Sequence, residues 1–197
     1  SVQQESKGDY MAAERITLTR HILTQQQSYP GATGEFSILL SQIALATKKI
    51  AQRLSVAGLT GALGATEEIN VQGEIVQKLD DISNDAFLES FAYGELVSEM
   101  VSEEMEQPAA IVGNADTGKY VVFVDPLDGS SNIDVDVTIG SIFSVHRRPA
   151  GSGEEFKKAL HLQGKHQVAA GYALYGPTTM LMYTTGKGVH GFTLDPG

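Results

Sequence analysis

Residues 120–134 read Tyr-Val-Val-Phe-Val-Asp-Pro-Leu-Asp-Gly-Ser-Ser-Asn-Ile-Asp, and this stretch decides the fold and the chemistry that we expect. An apolar run bounded by turn residues is typical of a buried β-strand. The run ends at Asp125, and the turn at Pro126 can fold Asp125 and Asp128 toward one point. Hard divalent cations such as Mg²⁺ prefer carboxylate oxygens. The stretch therefore predicts a strand that ends in a metal site.

The residues after the second carboxylate predict a phosphate-binding turn. Asp128, Gly129, Ser130, Ser131 and Asn132 combine small side chains, hydroxyls and backbone N–H groups, which are the components of an anion cradle. The alternative is a strand followed by an ordinary capped turn. An Asp-X-X-Asp spacing alone is weak, but the full string is much more specific than that spacing.

The rest of the chain predicts helices first and strands afterwards. Apolar periodicity predicts helices over 10–27, 35–57 and 74–93, the last in two pieces divided by a cap at 83–85, with a Gly-rich loop over 58–73. Strands are predicted over 109–112, 120–124, 141–146, 168–174, 180–184 and 189–194, and a short helix over 155–160. Such an order favours an α+β layered domain over repeated βαβ units.

Two further carboxylate groups are candidates for the same site. Glu103 and Glu104 are adjacent, and each can lend an oxygen to neighbouring metals, although a Glu-Glu pair alone is usually a solvated patch. Glu95 and Glu99 form a similar spacing upstream, which leaves the register open. Glu74 and Asp80 follow the Gly-rich loop and could orient or deprotonate an attacking water. Taken alone, they would be an acidic helix start.

Composition excludes several classes of protein. The 197 residues carry a net charge of −10, which disfavours nucleic acid and anionic membrane surfaces as partners. The chain has no cysteine, which excludes disulfides, thiol catalysis and cysteine-ligated zinc. No signal-peptide pattern and no apolar run of about 18 residues is present, so we expect a cytoplasmic protein. The chain ends directly after strand-like sequence, which fits a fragment as easily as a natural terminus.

The motifs together resemble fructose-1,6-bisphosphatase. The resemblance rests on residues 78–85, on Val101 to Glu104, on Asp125 to Asp134, on Gly140 to Phe143, on 169–177 and on 184–196. It covers the chain from about Ile16 onward. It implies an α/β/α layered sandwich with a mixed, mostly antiparallel sheet, which is the sugar phosphatase (inositol monophosphatase-like) fold, here in its N-terminal half.

The resemblance implies hydrolysis of the 1-phosphate of fructose 1,6-bisphosphate by metal-activated water. Two or three Mg²⁺ ions, with Mn²⁺ or Zn²⁺ as substitutes, would be bound by Glu103, Glu104, Asp125, Asp128 and the Leu127 carbonyl. Residues 128–132 would contact the transferred phosphate. Asp80, Glu74 and Glu104 would be catalytic, although animal members have aspartate at the position of Glu74.

The resemblance also implies an AMP inhibitory site and a homotetramer. The matching positions are Thr33, Gly34, Glu35, Ser37, Lys119, Tyr120 and Arg147. A helix N-terminus with cations nearby is a suitable anion site. Many members have threonine where this chain has Ser37, and the stretch from Gln25 to Pro30 lacks the basic residues of some members. Without the resemblance, these positions would be an ordinary cap, a strand start and a surface arginine.

Members of this family are far longer than 197 residues. We therefore expect residues 1–197 to form an N-terminal allosteric and metal-binding domain, with the C-terminal substrate domain absent from this chain. Two alternatives stay open. One is a sister enzyme such as a sedoheptulose-bisphosphatase or an inositol-phosphate phosphatase. The other is a non-catalytic domain that binds a nucleotide at Thr33 to Ser37.

Overall fold

A computed structural model describes residues 16–27, 33–59, 69–130, 138–151 and 160–195, with side chains described except at 57–59 and 69–76. Three helices come first: α1 (Leu18–Gln27), α2 (Glu35–Leu59) and α3 (Ile69–Phe91). Seven strands follow: β1 (Val97–Ser102), β2 (Ala109–Ala110), β3 (Tyr120–Asp128), β4 (Ile139–Arg147), β5 (Ala169–Tyr175), β6 (Met180–Thr184) and β7 (Val189–Thr193). None of the helices in this part of the chain has the length and apolar character needed to cross a membrane.

The strands form one mixed sheet in the order β2-β1-β3-β4-β5-β6-β7. Strands β1 and β3 are parallel, and every other neighbouring pair is antiparallel. From β3 onward the sheet is a meander of sequential neighbours. The single parallel pair matters for function because the carboxyl ends of parallel strands lie at the same edge of a sheet.

The helices cover one face of this sheet. On α2, Leu39, Ile43, Ala46 and Ile50 are fully buried, and their spacing of three to four residues is the apolar stripe of a core-facing helix. Helix α3 packs against α2, β1 and β3, while α1 packs against α2. The layer between helices and sheet is therefore one continuous apolar core.

The opposite face of the sheet, which we call the open face, is apolar but partly exposed in the described residues. Ile142, Tyr172 and Met182 are cross-strand neighbours in a row that begins at Asp125. Ile142 is 49% exposed and Tyr172 is 42% exposed. A cavity of about 610 Å³ lies over this row. The second helical layer of the expected sandwich is not represented among the described residues.

The α+β class and the mixed, mostly antiparallel sheet are confirmed, and four details of the prediction are wrong. Strand β1 was not predicted, and the 109–112 strand is only two residues long. Helix α3 begins at Ile69, inside the loop predicted over 58–73, and it is one continuous helix in which Ser83 is buried instead of capping. The sequence pattern does not reveal strand β1 because two of its buried residues, Ser98 and Ser102, are polar. The Ser98 hydroxyl donates to the Tyr120 carbonyl at 3.0 Å. The predicted helix over 155–160 lies outside the described residues except for Leu160, which is in a turn.

Candidate metal centre

The centre begins where the parallel strands β1 and β3 end side by side. Ser102 pairs with Val124, and the backbone N–H of Glu103 donates to the Val124 carbonyl at 3.1 Å. This brings the Glu103 carboxyl to Asp125, close enough for a side-chain hydrogen bond between them. The Ser102 hydroxyl accepts a bond from the Glu104 N–H at 3.3 Å, which holds the backbone at the next carboxylate. The glutamates at the site are therefore Glu103 and Glu104, since Glu99 pairs in the middle of β1.

The turn after Asp125 aims the second aspartate at the same edge. The register of β3 against β4 shifts between Asp125 and Asp128, so Pro126 and Leu127 form an irregularity in the ladder. The Leu127 N–H donates to Asp125 Oδ1 at 3.2 Å, and the carbonyl of buried Pro126 accepts from the Ser141 hydroxyl at 2.7 Å. Gly129 has φ +81°, a conformation that glycine adopts without strain, and it returns the chain toward the site.

Helix α3 supplies a further carboxylate, that of Asp80, from the helical side of the sheet. Its packing against β1 and β3 buries Leu79 and leaves Asp80 only 9% exposed. The Ser130 hydroxyl donates to Asp80 Oδ2 at 3.4 Å, which ties the helix to the start of the predicted phosphate turn. Among the described residues, no hydrogen-bond partner meets Asp80 Oδ1. A buried carboxylate oxygen of this kind needs a partner, such as a water or a cation.

Burial and neighbouring negative charges raise the pKa of three of these carboxyl groups. Burial is the main cause for Asp80, Glu104 and Asp125, and it raises the pKa of Asp125 to about 6. The charges that add to the effect are all negative: Glu103 acts on all three groups, Asp128 acts on Asp125, and Asp81 acts on Asp80 and Glu104. Repelling, partly buried carboxylates are the donor set that a divalent cation stabilises.

The described carboxylates lie near one another but do not form a complete metal-binding site. Within the described ranges, no three acidic or histidine side chains already converge at metal-binding positions. The pairwise electrostatic couplings show that the groups are neighbours, and Asp128 and both glutamates are exposed enough to move. The residues fit divalent cations that bind several waters and a phosphate oxygen as well as protein ligands, as Mg²⁺ does.

The predicted site residues are brought together as far as they are described. Asp80, Glu103, Glu104, Asp125 and Asp128 lie in one electrostatically coupled cluster, with Gly129 and Ser130 beside it. Glu74 lies on α3, but its side chain is outside the description, as are Ser131 and Asn132. Sequence reasoning did not assign Asp81, Ser141 or Tyr175 to the site. The Asp80-Asp81 pair gave a signal for the first. The two hydroxyls lie in stretches that carry the family resemblance, but nothing in those stretches pointed to the metal site.

A second cavity contains the predicted nucleotide-site residues. It has a volume of about 510 Å³ and is lined by Thr33, Gly34, Glu35, Ser37, Tyr120 and Arg147 together with residues of α1, β6 and β7. Lys119 forms an ion pair with Glu35, and this bond is the main cause that lowers the pKa of Glu35. The Arg147 guanidinium lies 5.9 Å from the centroid of the Tyr120 ring. Gln26 was missed, and its Oε1 accepts from the Ser37 hydroxyl at 2.8 Å.

Comparison with known proteins decides the family. Residues 16–197 match the family model described as "Fructose-1-6-bisphosphatase, N-terminal domain". The chain belongs to the fructose-1,6-bisphosphatase family. The expected resemblance, and the sugar phosphatase fold with it, are therefore confirmed.

Individual relatives agree with this family. A class 1 fructose-1,6-bisphosphatase of Trichormus variabilis is 48% identical over 193 residues, which is 98% of this chain and 55% of the relative. One from Synechococcus is 49% identical over 187 residues, covering 94% and 56%. The crystal structure of Leishmania major fructose-1,6-bisphosphatase in holo form matches with a TM-score of 0.77 at 40% identity, covering 92% and 55%. The chain thus spans about half the length of the fructose-1,6-bisphosphatases that it matches.

Proposed function

We propose that this chain forms the metal-binding part of a phosphatase that hydrolyses fructose 1,6-bisphosphate to fructose 6-phosphate and phosphate. Membership of the fructose-1,6-bisphosphatase family implies a divalent metal cofactor. The observation that carries the proposal is the cluster of mutually repelling carboxylates at the shared end of β1 and β3. Such a cluster suits cations and, through them, an anionic substrate.

The proposed ligands are the carboxylates of Glu103, Glu104, Asp125 and Asp128, with the Leu127 carbonyl. All are oxygen donors, which favours Mg²⁺, in two or three copies, with Mn²⁺ or Zn²⁺ as substitutes. When bound, the cations supply an acidified water and neutralise charge on the phosphoryl group. Residues 1–197 are then the N-terminal metal-binding and allosteric domain, and the open face next to Asp125 is the side on which a substrate domain would pack.

The remaining steps are assigned to side chains of this chain. Gly129 and Ser130 present N–H groups and a hydroxyl to the transferred 1-phosphate, with Ser131 and Asn132 continuing the cradle. Water attacks phosphorus, the bond from phosphorus to the C1 oxygen breaks, and that oxygen gains a proton as the water loses one. Asp80 has a buried oxygen without a partner in the described structure, so it can hold the water or its proton. Glu104 and Glu74 are proposed to assist.

The test of this function is phosphate release from fructose 1,6-bisphosphate with and without Mg²⁺. The 197-residue chain is compared with a chimaera in which the remaining length of the Trichormus variabilis relative follows Asp195. We expect Mg²⁺-dependent turnover by the chimaera. Asp128→Ala should lower the rate of turnover by at least about 1,000-fold, because it removes a proposed metal ligand. Since Asp128 is exposed, the substitution should leave the core intact.

Three outcomes separate the alternatives. A folded chimaera that binds Mg²⁺ but releases no phosphate would favour the non-catalytic domain. Faster release from sedoheptulose bisphosphate or an inositol phosphate would favour a sister phosphatase. Turnover of fructose 1,6-bisphosphate that Asp128→Ala does not reduce would remove Asp128 from the mechanism.

AMP binding in the second cavity is a further proposal, because an independent set of residues supports it. The N-terminus of α2, which is a long helix, lies at the cavity, since Gly34, Glu35 and Ser37 line it, and the first N–H groups of a helix are suited to an anion. Arg147 supplies a cation on the cavity wall, where its guanidinium lies over the Tyr120 ring and its charge also acts on Glu35. A phosphate at the helix end and an aromatic or apolar lining for the base fit this arrangement.

Replacing Arg147 by alanine is expected to weaken AMP binding by about 10- to 100-fold, since a charge-assisted hydrogen bond to the phosphate is lost. Calorimetric titration of the 197-residue chain with AMP measures this. Arg53→Ala is the matched control, because it removes the same charge from the exposed side of α2. The proposal fails if the parent chain binds no AMP, or if both variants bind AMP equally.

A homotetramer stays a prediction that the family resemblance suggests, and a cytoplasmic location stays a prediction made from the sequence pattern.

A further inference from the structure

The turn that carries the proposed metal ligands is held by a side chain from the neighbouring strand. Between Asp125 and Asp128, two residues of β3 face the single residue Ser141 of β4. Pro126 has no N–H to donate, and the irregularity takes its carbonyl out of the regular ladder. The Ser141 hydroxyl donates to that carbonyl at 2.7 Å. A side chain thus replaces the missing backbone partner of a buried carbonyl.

A second hydroxyl completes this contact. The Tyr175 hydroxyl lies 2.7 Å from Ser141 Oγ. Either oxygen could donate in isolation, but a carbonyl can only accept, so the single Ser141 proton is committed to Pro126. In the Tyr175–Ser141 contact the phenol is therefore the donor. The phenol also lies within hydrogen-bond reach of Thr47, whose own hydroxyl donates to the Ile43 carbonyl at 3.0 Å.

The hydrogen-bond chain is buried over its whole length. Ser141 is 0% exposed, Tyr175 is 6% exposed, and Pro126 is among the fully buried side chains. Burial also raises the pKa of the Tyr175 phenol, so its proton stays in place at neutral pH. Water cannot easily replace a missing member at such a site, and a partner that is removed leaves an unsatisfied polar group.

We propose that Ser141 and Tyr175 are positioning residues of the metal centre, which set the spacing of Asp125 and Asp128 and the direction of the Leu127 carbonyl by holding Pro126. The inference rests on the proposed metal site. Neither residue touches the ions. They act as the hydrogen-bonded supports of metal ligands do in other proteins, where the loss of one such support typically weakens metal binding 10- to 100-fold.

The test is the affinity of the 197-residue chain for Mn²⁺ alone, measured from the electron paramagnetic resonance signal of the free ion. Ser141→Ala should weaken Mn²⁺ binding about 10- to 100-fold, and Tyr175→Phe about 3- to 10-fold, because serine keeps its bond to Pro126 in the second variant. Ser141→Thr keeps the hydroxyl and should retain most of the affinity. The double variant should equal Ser141→Ala, because the two groups act in series.

Tyr183→Phe is the matched control. Tyr183 is 4% exposed and loses the same oxygen in the substitution, but it lies on β6 outside this chain of bonds, so Mn²⁺ affinity should not change. Urea unfolding without Mn²⁺ provides the second readout, since a purely structural role would lower stability and leave affinity intact. If Ser141→Ala does not fold, Tyr175→Phe carries the test.

Two results overturn the inference, and they differ. If the parent chain binds Mn²⁺ and the folded variants bind it equally well, the positioning role is wrong while the metal site stands. If the parent chain binds no Mn²⁺, the metal site fails and the positioning role fails with it.

Discussion

Replacing Asp125 by asparagine is expected to weaken Mg²⁺ or Mn²⁺ binding by at least about 100-fold and to stabilise the metal-free protein at the same time. Asparagine keeps the acceptor oxygen for the Leu127 N–H, so the turn is retained. The substitution removes the negative charge of Asp125. Burial and the carboxylates of Glu103 and Asp128 disfavour this charge, and they raise the pKa of Asp125 to about 6. At pH 7.5 the native Asp125 is ionised and repelled. We expect a gain of about 1 kcal/mol in the free energy of unfolding without metal.

Opposite changes in two quantities make this result specific. Calorimetry with Mg²⁺ or Mn²⁺ gives the affinity, and urea unfolding in the presence of a chelator gives the stability. Asp116→Asn is the matched control, since Asp116 is exposed in the turn between β2 and β3. Unchanged metal affinity in Asp125→Asn would remove Asp125 from the ligand set. A loss of stability without metal would mean that its charge has a favourable partner.

The Gly171→Ala variant is expected to lose about 3 kcal/mol or more of unfolding free energy. A Cβ atom at Gly171 would lie 2.3 Å from the Met182 carbonyl oxygen and 2.5 Å from the nearest atom of the Phe143 ring. The carbonyl belongs to the neighbouring strand β6, and no side-chain rotation can move it. The sheet must therefore separate locally between β5 and β6, where Gly171 pairs with Tyr183.

Urea unfolding measures this loss, with an unchanged slope as evidence that the midpoint reports stability. Gly164→Ala is the control, because a Cβ there meets nothing within 4 Å. It should change the unfolding free energy by no more than about 0.5 kcal/mol. Equal midpoints for the two variants would show that the β5–β6 contact can relax, and would contradict the prediction.

The sequence predicted the helices and most of the meander because their apolar patterns are strong. The stripe of α2 repeats every three to four residues, and its prediction over 35–57 is within two residues of the observed Glu35–Leu59. Strand β1 could not be found in this way. Buried Ser98 is satisfied by a contact with β3, its bond to the Tyr120 carbonyl, and a one-dimensional pattern does not contain that contact.

In the candidate site, too, residues in short motifs were predicted and residues that depend on contacts between strands were not. Asp125, Asp128, Glu103 and Glu104 stand in short motifs, and their identity alone suggested the chemistry. The pairing of Glu99 inside β1 favours Glu103 and Glu104 over the similar Glu95 and Glu99 spacing. Ser141 and Tyr175 lie in the stretches 140–143 and 169–177 that carry the family resemblance, but a serine and a tyrosine do not by themselves suggest a role at a metal site. Their meeting depends on the β3–β4 irregularity and on the β4–β5 register, which brings together residues 34 positions apart.

The parallel pairing of β1 and β3 has a consequence for how the protein is held together. Glu103 and Asp125 stand at opposite ends of a connection that includes β2, and the strands bring them side by side. Under the proposed function, an ion bound by both would join two distant points of a chain that has no cysteine. Closing a loop of roughly 20 residues removes about 3 kcal/mol of chain entropy from the unfolded state, by the loop-closure relation that is applied to disulfides. The ion would thus be a reversible cross-link, controlled by metal supply instead of redox conditions.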